Sequence, residues 1–251
     1  MPQELTLSHV IAHRGACAYA PENTLASMRK AHALGAQWVE FDVMLTADGE
    51  AIIMHDETLA RTTNGGKRAV AETLYQDITR LDAGTWFGKQ YAQKPVPTLV
   101  ELLELLKKLK LNINLEIKPT PGKEVETAEK SLACLRHYWP LEASPPMISS
   151  QSPQCLRTVH QLAPELCLGA VIHEWDTPWK IWLRDYACQA ASVNHLILTP
   201  ENVKQLKADL NYLLAYTVND PDRANDLYQW GVDAVFSDKP DLLAKPLARG
   251  T

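Results

Sequence analysis

The sequence predicts a (β/α)8 barrel. Short apolar runs with strand character alternate with amphipathic helical stretches from one end to the other. Eight such runs occur in the 251 residues, and the unusual polar residues fall at their C-terminal ends. Periodicity alone does not separate this fold from an open doubly wound sheet; the count of eight and the placing of the polar residues favour the barrel. One domain over residues 1–251 is expected, since α/β barrels use about 250 residues as a unit.

The expected strands are residues 9–12, 38–43, 113–117, 147–149, 166–171, 195–198, 213–218 and 233–236. Residues 23–34 follow Pro21 and Glu22 and read as a helix, with Gly35 placed to end it. Residues 98–109 carry Leu99, Leu102, Leu103, Leu105, Leu106 and Leu109 with charged residues between them, which is the spacing of a buried helical stripe. Residues 221–230 open beside the acidic pair Asp220 and Asp222, which suits a helix N-terminus, and stop at Gly231. Residues 46–97 break the alternation. Ala47-Asp48-Gly49-Glu50 reads as a hairpin turn into residues 51–54, and Asn64-Gly65-Gly66 marks a loop-rich insertion after the second strand.

Composition narrows the function classes. With 46% hydrophobic and 22% charged residues the chain is an ordinary globular mixture, which excludes extended disorder. Lys plus Arg is 25 against 30 Asp plus Glu, a net charge of −5, and nucleic-acid binding would call for a basic stripe instead. No run approaches the roughly 18 apolar residues of a membrane span, and no basic start precedes an apolar stretch, so a cytoplasmic protein without membrane insertion is expected. The five cysteines are scattered without a CxxC pair and read as reduced thiols; Cys17, near the polar cluster, is either a packing residue or a nucleophile.

The chemistry gathers where a barrel puts it. Glu40 and Asp42 are i and i+2 in an otherwise apolar strand, so both carboxylates face one side, and Glu116 repeats the pattern in the next barrel strand. One such carboxylate would be read as an ion-pair partner at a barrel end. Three at one rim suit a hard divalent cation, Mg²⁺ or Ca²⁺. His13 ends the first strand before Gly15, and His55 follows the hairpin; two histidines beside a carboxylate cluster suit acid–base work at neutral pH. Arg14 and Lys118 add positive charge that suits a phosphate. Phe41, Trp86, Phe87 and Trp175 are either apolar walls for a ligand or core.

The motifs are recognisable as an ordered set. His13-Arg14-Gly15, Pro21-Glu22-Asn23-Thr24, Glu40-Phe41-Asp42, His55-Asp56, Arg61-Thr62-Thr63-Asn64-Gly65, Pro97-Thr98-Leu99, Asn114-Leu115-Glu116-Ile117-Lys118, Thr217-Val218-Asn219 and the segment from Asp233 to Pro240 run along nearly the whole chain. Together they resemble the glycerophosphodiester phosphodiesterases, the bacterial cytoplasmic members most. The resemblance implies a TIM barrel with a small insertion after strand two. It also implies metal-dependent hydrolysis of small-molecule glycerophosphodiesters, such as glycerophosphocholine or glycerophosphoethanolamine, to sn-glycerol 3-phosphate and an alcohol. Carried over by position, Glu40, Asp42 and Glu116 would hold one divalent cation, and His13 and His55 would form the acid–base pair. Arg14 and Lys118 would contact phosphate, while Glu22 and Asn23 would organise the His13 loop. The oligomeric state, the preferred headgroup and the choice between water and the glycerol 2-hydroxyl as nucleophile are left open by the sequence.

Overall fold

Residues 4–140, 142–176 and 178–243 are described by the computed structural model. The chain runs β1 (Val10–Ala12), α1 (Leu25–Ala33), β2 (Trp38–Leu45), β3 (Ala51–Ile53), α2 (Tyr75–Ile78), α3 (Leu99–Leu109), β4 (Asn112–Ile117), α4 (Glu124–Tyr138) and β5 (Met147–Ser150). It continues through α5 (Pro153–Leu162), β6 (Cys167–Ile172), α6 (Trp179–Asp185), β7 (Ala190–Asn194), α7 (Pro200–Lys207), β8 (Tyr212–Tyr216), α8 (Pro221–Trp230), β9 (Ala234–Ser237) and α9 (Pro240–Leu243). Strands β1, β2, β4, β5, β6, β7, β8 and β9 pair in parallel in that order, and β9 returns to β1, so the sheet closes. Strand β3 stands outside the ring, antiparallel to the end of β2, with Val43 opposite Ile53. The expected (β/α)8 barrel is therefore the observed fold.

Period-two patterning builds the two cores. Along β2, Val39, Phe41 and Val43 pack outward with the helix faces, while Trp38 points into the barrel. Inside, Ile11, Trp38, Met147, Cys167, Ala190, Leu214, Ala234 and Phe236 form a separate buried cluster with Leu5 of the N-terminal segment. Trp38 is 1% exposed and its Nε1 donates to the Thr6 carbonyl at 3.0 Å, tying that segment to the interior. Trp38→Ala is expected to cost about 3–5 kcal/mol of stability, as large core truncations do, measured by urea unfolding.

Local chemistry sets the helix starts. Thr98 caps α3: its Oγ1 accepts from the Glu101 amide at 3.1 Å, and the Glu101 carboxylate accepts from the Thr98 amide at 2.9 Å. Ser152, Thr199 and Asp220 cap α5, α7 and α8, each followed by proline at the first helical turn. Gly231 ends α8 in the left-handed region at φ 108°. Residues 46–97 leave the barrel through the β2–β3 hairpin and close over Met44, Ile52, Met54, Leu59, Val70, Ile78, Ala83 and Val96.

One expected strand is displaced. The apolar run at residues 195–198 is not a strand: His195–Ile197 is a 3-10 turn, and the strand is β7, five residues upstream. Leu196 is 78% exposed, whereas Ala190 and Ala191 are fully buried. In β7 small residues do the packing, Ala190 toward the barrel interior and Ala191 toward the helices, so hydrophobicity points to the wrong segment. Asn194 then accepts from the Leu196 amide at 3.1 Å, which turns the chain. Among the described residues no helix is long and apolar enough to cross a membrane.

Candidate active site

The extended strand β2 presents Glu40 and Asp42 to the barrel interior, 3% and 2% exposed. Register then sets the third carboxylate: Asp42 lies opposite Glu116 on β4, and Glu40 opposite Asn114. Carboxylate oxygens of Glu40, Asp42 and Glu116 all lie within 4.8 Å of one another. Burial, then the neighbouring Asp42 and Glu116, push the Glu40 carboxyl well above its ordinary range. Burial and Asp42 likewise raise Glu116 to about 7. Burial also opposes charge on Asp42, but Arg14, His55, Lys118 and a hydrogen bond from Asn23 outweigh it and hold that group low. Three clustered oxygen donors, two of them reluctant to ionise unaided, form a donor set that fits a hard divalent cation.

Above them the His13 loop is folded by unusual backbone. Gly15 has φ 79°, and a Cβ there would meet the Ser27 carbonyl carbon at 2.7 Å, so only glycine fits. Arg14 and Asn23 also lie in the left-handed region, at φ 51° and 55°, and the Asn23 amide donates to the Arg14 carbonyl at 3.1 Å. This geometry aims the Arg14 amide at Glu40 Oε2, 2.9 Å away, and the Asn23 side-chain amide at Asp42 Oδ2, 2.8 Å away.

The two histidines are each oriented by a carboxylate. His13 Nδ1 is 2.7 Å from Asp238 Oδ1, and Asp238 is fixed in turn by Asn219 Nδ2 at 2.6 Å and the Cys17 thiol at 2.8 Å. His55 Nδ1 is 2.7 Å from Asp56 Oδ1, and its Nε2 is 2.9 Å from Lys118 Nζ. Burial lowers the His55 pKa from its ordinary value, with Arg14 and Lys118 reinforcing it against the pull of Asp42. Arg61 grips Asp56 through Nε at 2.7 Å and Glu22 through both terminal nitrogens at 2.6 and 2.8 Å. Glu22 also accepts from Arg14 at 2.8 Å. An unbroken chain of charged hydrogen bonds thus links His55 to Arg14.

The carboxylate trio, both histidines, Arg14 and Lys118 border one cavity of about 410 Å³. Glu22 and Asn23 stand behind that lining, as carriers of the Arg14 and Asp42 contacts. The far wall holds Gln151, Val171, His173, Ser192 and Tyr216, which sequence reasoning missed, and the orienting roles of Asp56, Arg61, Asn219 and Asp238 were missed too. Adjacency of Asp56 to His55 was the available signal; nothing local ties His13 to Asp238. Of the aromatic residues considered as ligand walls, Phe41 packs in the outer core, Trp86 is 42% exposed, and Phe87 and Trp175 also lie outside the cavity lining, where Phe236 stands instead. Burial and the Asp238 carboxylate push the Cys17 thiol far up, which disfavours the thiolate a nucleophile needs.

Known proteins similar to this chain carry one family description. The Glycerophosphoryl diester phosphodiesterase family profile matches residues 13–242. A glycerophosphodiester phosphodiesterase of Caldanaerobacter subterraneus subsp. tengcongensis is 35% identical over 248 residues, covering 96% of this chain and 98% of the relative. One from Bacillus subtilis is 36% identical over 257 residues, covering 94% and 85%. The structure of an Oleispira antarctica phosphodiesterase in complex with the product sn-glycerol-3-phosphate superposes with a TM-score of 0.90 at 38% identity, covering 94% and 95% of the two chains. By its profile match and these full-length relatives, the chain belongs to the glycerophosphoryl diester phosphodiesterase family.

Proposed function

We propose that this enzyme hydrolyses glycerophosphodiesters such as glycerophosphocholine and glycerophosphoethanolamine to sn-glycerol 3-phosphate and an alcohol. The observation that carries the reading is the facing set in one cavity: three clustered carboxylates, two carboxylate-oriented histidines, and the cations Arg14 and Lys118. Glu40, Asp42 and Glu116 would hold a divalent cation, Mg²⁺ or Ca²⁺, which when bound supplies a Lewis acid for a phosphate oxygen. Arg14 and Lys118 bring two positive charges to the phosphodiester, favouring the charge that builds on its oxygens.

The histidines divide the proton work. Lys118 has donors only, so its contact makes His55 Nε2 the acceptor and places the ring proton on Nδ1, toward Asp56. The lowered pKa favours the neutral ring of His55, whose Nε2 lone pair serves as the general base once Lys118 turns to the phosphate. His13, held by Asp238, is the general acid that protonates the leaving alkoxide. Arg61 acts through Asp56 and Glu22. Arg61→Ala is expected to lower kcat on the order of 10-fold with the fold intact, in the range of losses seen when an orienting partner is removed; unchanged kcat would detach this chain of hydrogen bonds from catalysis.

The test of the whole reading is a panel of glycerophosphodiesters incubated with Mg²⁺ or Ca²⁺ and coupled to glycerol 3-phosphate detection. Choline, ethanolamine and glycerol leaving groups should be released at similar rates, because the cationic contacts address phosphate and not the alcohol. No glycerol 3-phosphate from any member would defeat the proposal, and strict dependence on one headgroup would defeat the expectation of breadth.

A further inference from the structure

Among the described residues, a second group of metal-binding side chains lies outside the carboxylate trio. His13 and Cys17, on the loop after β1, and Asp238, after β9, each bring a donor atom to one spot. These atoms lie within 4.8 Å of one another, and all three residues are half-buried. Asp238 Oδ1 is shared: it lies 2.7 Å from His13 Nδ1 and accepts from the Cys17 thiol at 2.8 Å. The other Asp238 oxygen is held by Asn219 Nδ2. The backbone around them is pinned, since the His13 amide donates to the Ser237 carbonyl at 2.9 Å and the Ala18 amide to the Asp238 carbonyl at 3.1 Å. Side-chain exposures of 16% for His13 and 27% for Asp238 leave a way in from solvent. The donor chemistry also differs from that of the trio. A thiol, an imidazole and one carboxylate suit zinc, whereas an all-carboxylate set suits Mg²⁺ or Ca²⁺.

We propose that His13, Cys17 and Asp238 form an inhibitory site for Zn²⁺, separate from the site of the activating cation. That the bound ion inhibits rests on the activity proposed above; that it binds does not. Three protein donors with an open fourth position are a common zinc arrangement. Tetrahedral bonds of about 2.0–2.3 Å set neighbouring donors about 3.3–3.6 Å apart, so each donor moves by under about 1 Å to seat the ion. The S–H bond breaks and its proton goes to solvent, while the His13 proton on Nδ1 moves to Nε2. Bonds from the ion to Sγ, Nδ1 and Oδ1 form with no change of oxidation state. Burial and Asp238 disfavour the free thiolate, and a coordinating divalent ion reverses that preference by replacing the thiol proton. A ring whose Nδ1 lone pair is on zinc cannot become the imidazolium that protonates the leaving alkoxide. Turnover therefore stops although the carboxylate trio keeps its own cation.

The experiment uses Cd²⁺ as an optical probe and Zn²⁺ as the inhibitor, both with Mg²⁺ in large excess and a phosphine to keep thiols reduced. Cd²⁺ should give the wild type a thiolate-to-metal charge-transfer band that saturates at one ion per chain and is missing from Cys17→Ala. Zn²⁺ should inhibit the wild type in a way that more Mg²⁺ does not relieve, but that a chelator followed by fresh Mg²⁺ does. In Cys17→Ala, with inhibition expressed against that variant's own rate, the zinc inhibition constant should rise at least about 10-fold. Cys17→Ser serves the same comparison if the alanine variant folds poorly. A band that persists in both variants comes from the remaining cysteines and overturns the site. Equal zinc inhibition of wild type and variants, or relief by Mg²⁺, puts the ion on the carboxylate trio and overturns it too, as does the absence of both band and inhibition. A band lost in the variants without zinc inhibition of the wild type keeps the site and defeats its inhibitory role. If no glycerophosphodiester is turned over at all, the activity reading fails and the band still decides the site.

Discussion

Replacing His13 or His55 with alanine is expected to lower turnover on the order of 10²–10⁴-fold, the range that a positioned acid or base contributes. Folding should survive, because both rings border the cavity and neither belongs to the buried hydrophobic clusters. The two variants should differ in their pH profiles. Loss of His55 removes the group that must be neutral, so the acidic limb of the wild-type profile, set below the ordinary histidine value by burial, should disappear with it. Near-normal activity of either purified variant would remove that histidine from the mechanism, and thermal unfolding measured alongside separates catalytic loss from misfolding.

Chelation is expected to abolish activity, and Mg²⁺ or Ca²⁺ to restore it. Glu40, Asp42 and Glu116 bring three negative charges to one place and a phosphodiester adds a fourth, while Arg14 and Lys118 offset two. The remainder, about −2, is what one divalent cation cancels. The same charge balance predicts a stability signature. Without a cation Glu116 titrates at about 7, above its ordinary value, so it adds stability at low pH that is lost as the pH rises through about 7. A cation binds the ionised form and reverses that preference. The rise in unfolding temperature on adding Mg²⁺ or Ca²⁺ should therefore be larger at about pH 8 than at about pH 5.5. Glu116→Gln should weaken metal affinity and turnover together. Full activity in thoroughly chelated enzyme would overturn the assignment.

The carboxylate trio was legible in the sequence because charged residues at i and i+2 in an apolar strand are costly to bury unless they bind something, and strand register then brings Glu116 to Asp42. The barrel was legible wherever strands are rich in Val, Ile, Leu and Phe, as in β2 and β4. It was misread at β7, whose buried Ala190-Ala191-Ser192 are small and weakly hydrophobic, while the more apolar His195–Ile197 is a surface turn. The orienting pairs were out of reach for a different reason. His13 and Asp238 are 225 residues apart, and Arg61 is 39 from Glu22, separations that only closure of the ring and folding of the insertion against it can span.

The clustered carboxylates and the His13–Asp238 pair come from one arc of the ring: Asp238 follows β9, His13 follows β1, Glu40 and Asp42 lie on β2, and Glu116 and Lys118 end β4. Strands β5 to β8 and their ends contribute Gln151, Val171, His173, Ser192, Tyr216 and Thr217 to the cavity, all outside the carboxylate and histidine pairs. That asymmetry separates the wall that carries the clustered charges from the wall that only bounds the space, so substitutions at Val171, His173 or Ser192 alter the shape of the cavity while leaving the contacts of the carboxylate cluster in place.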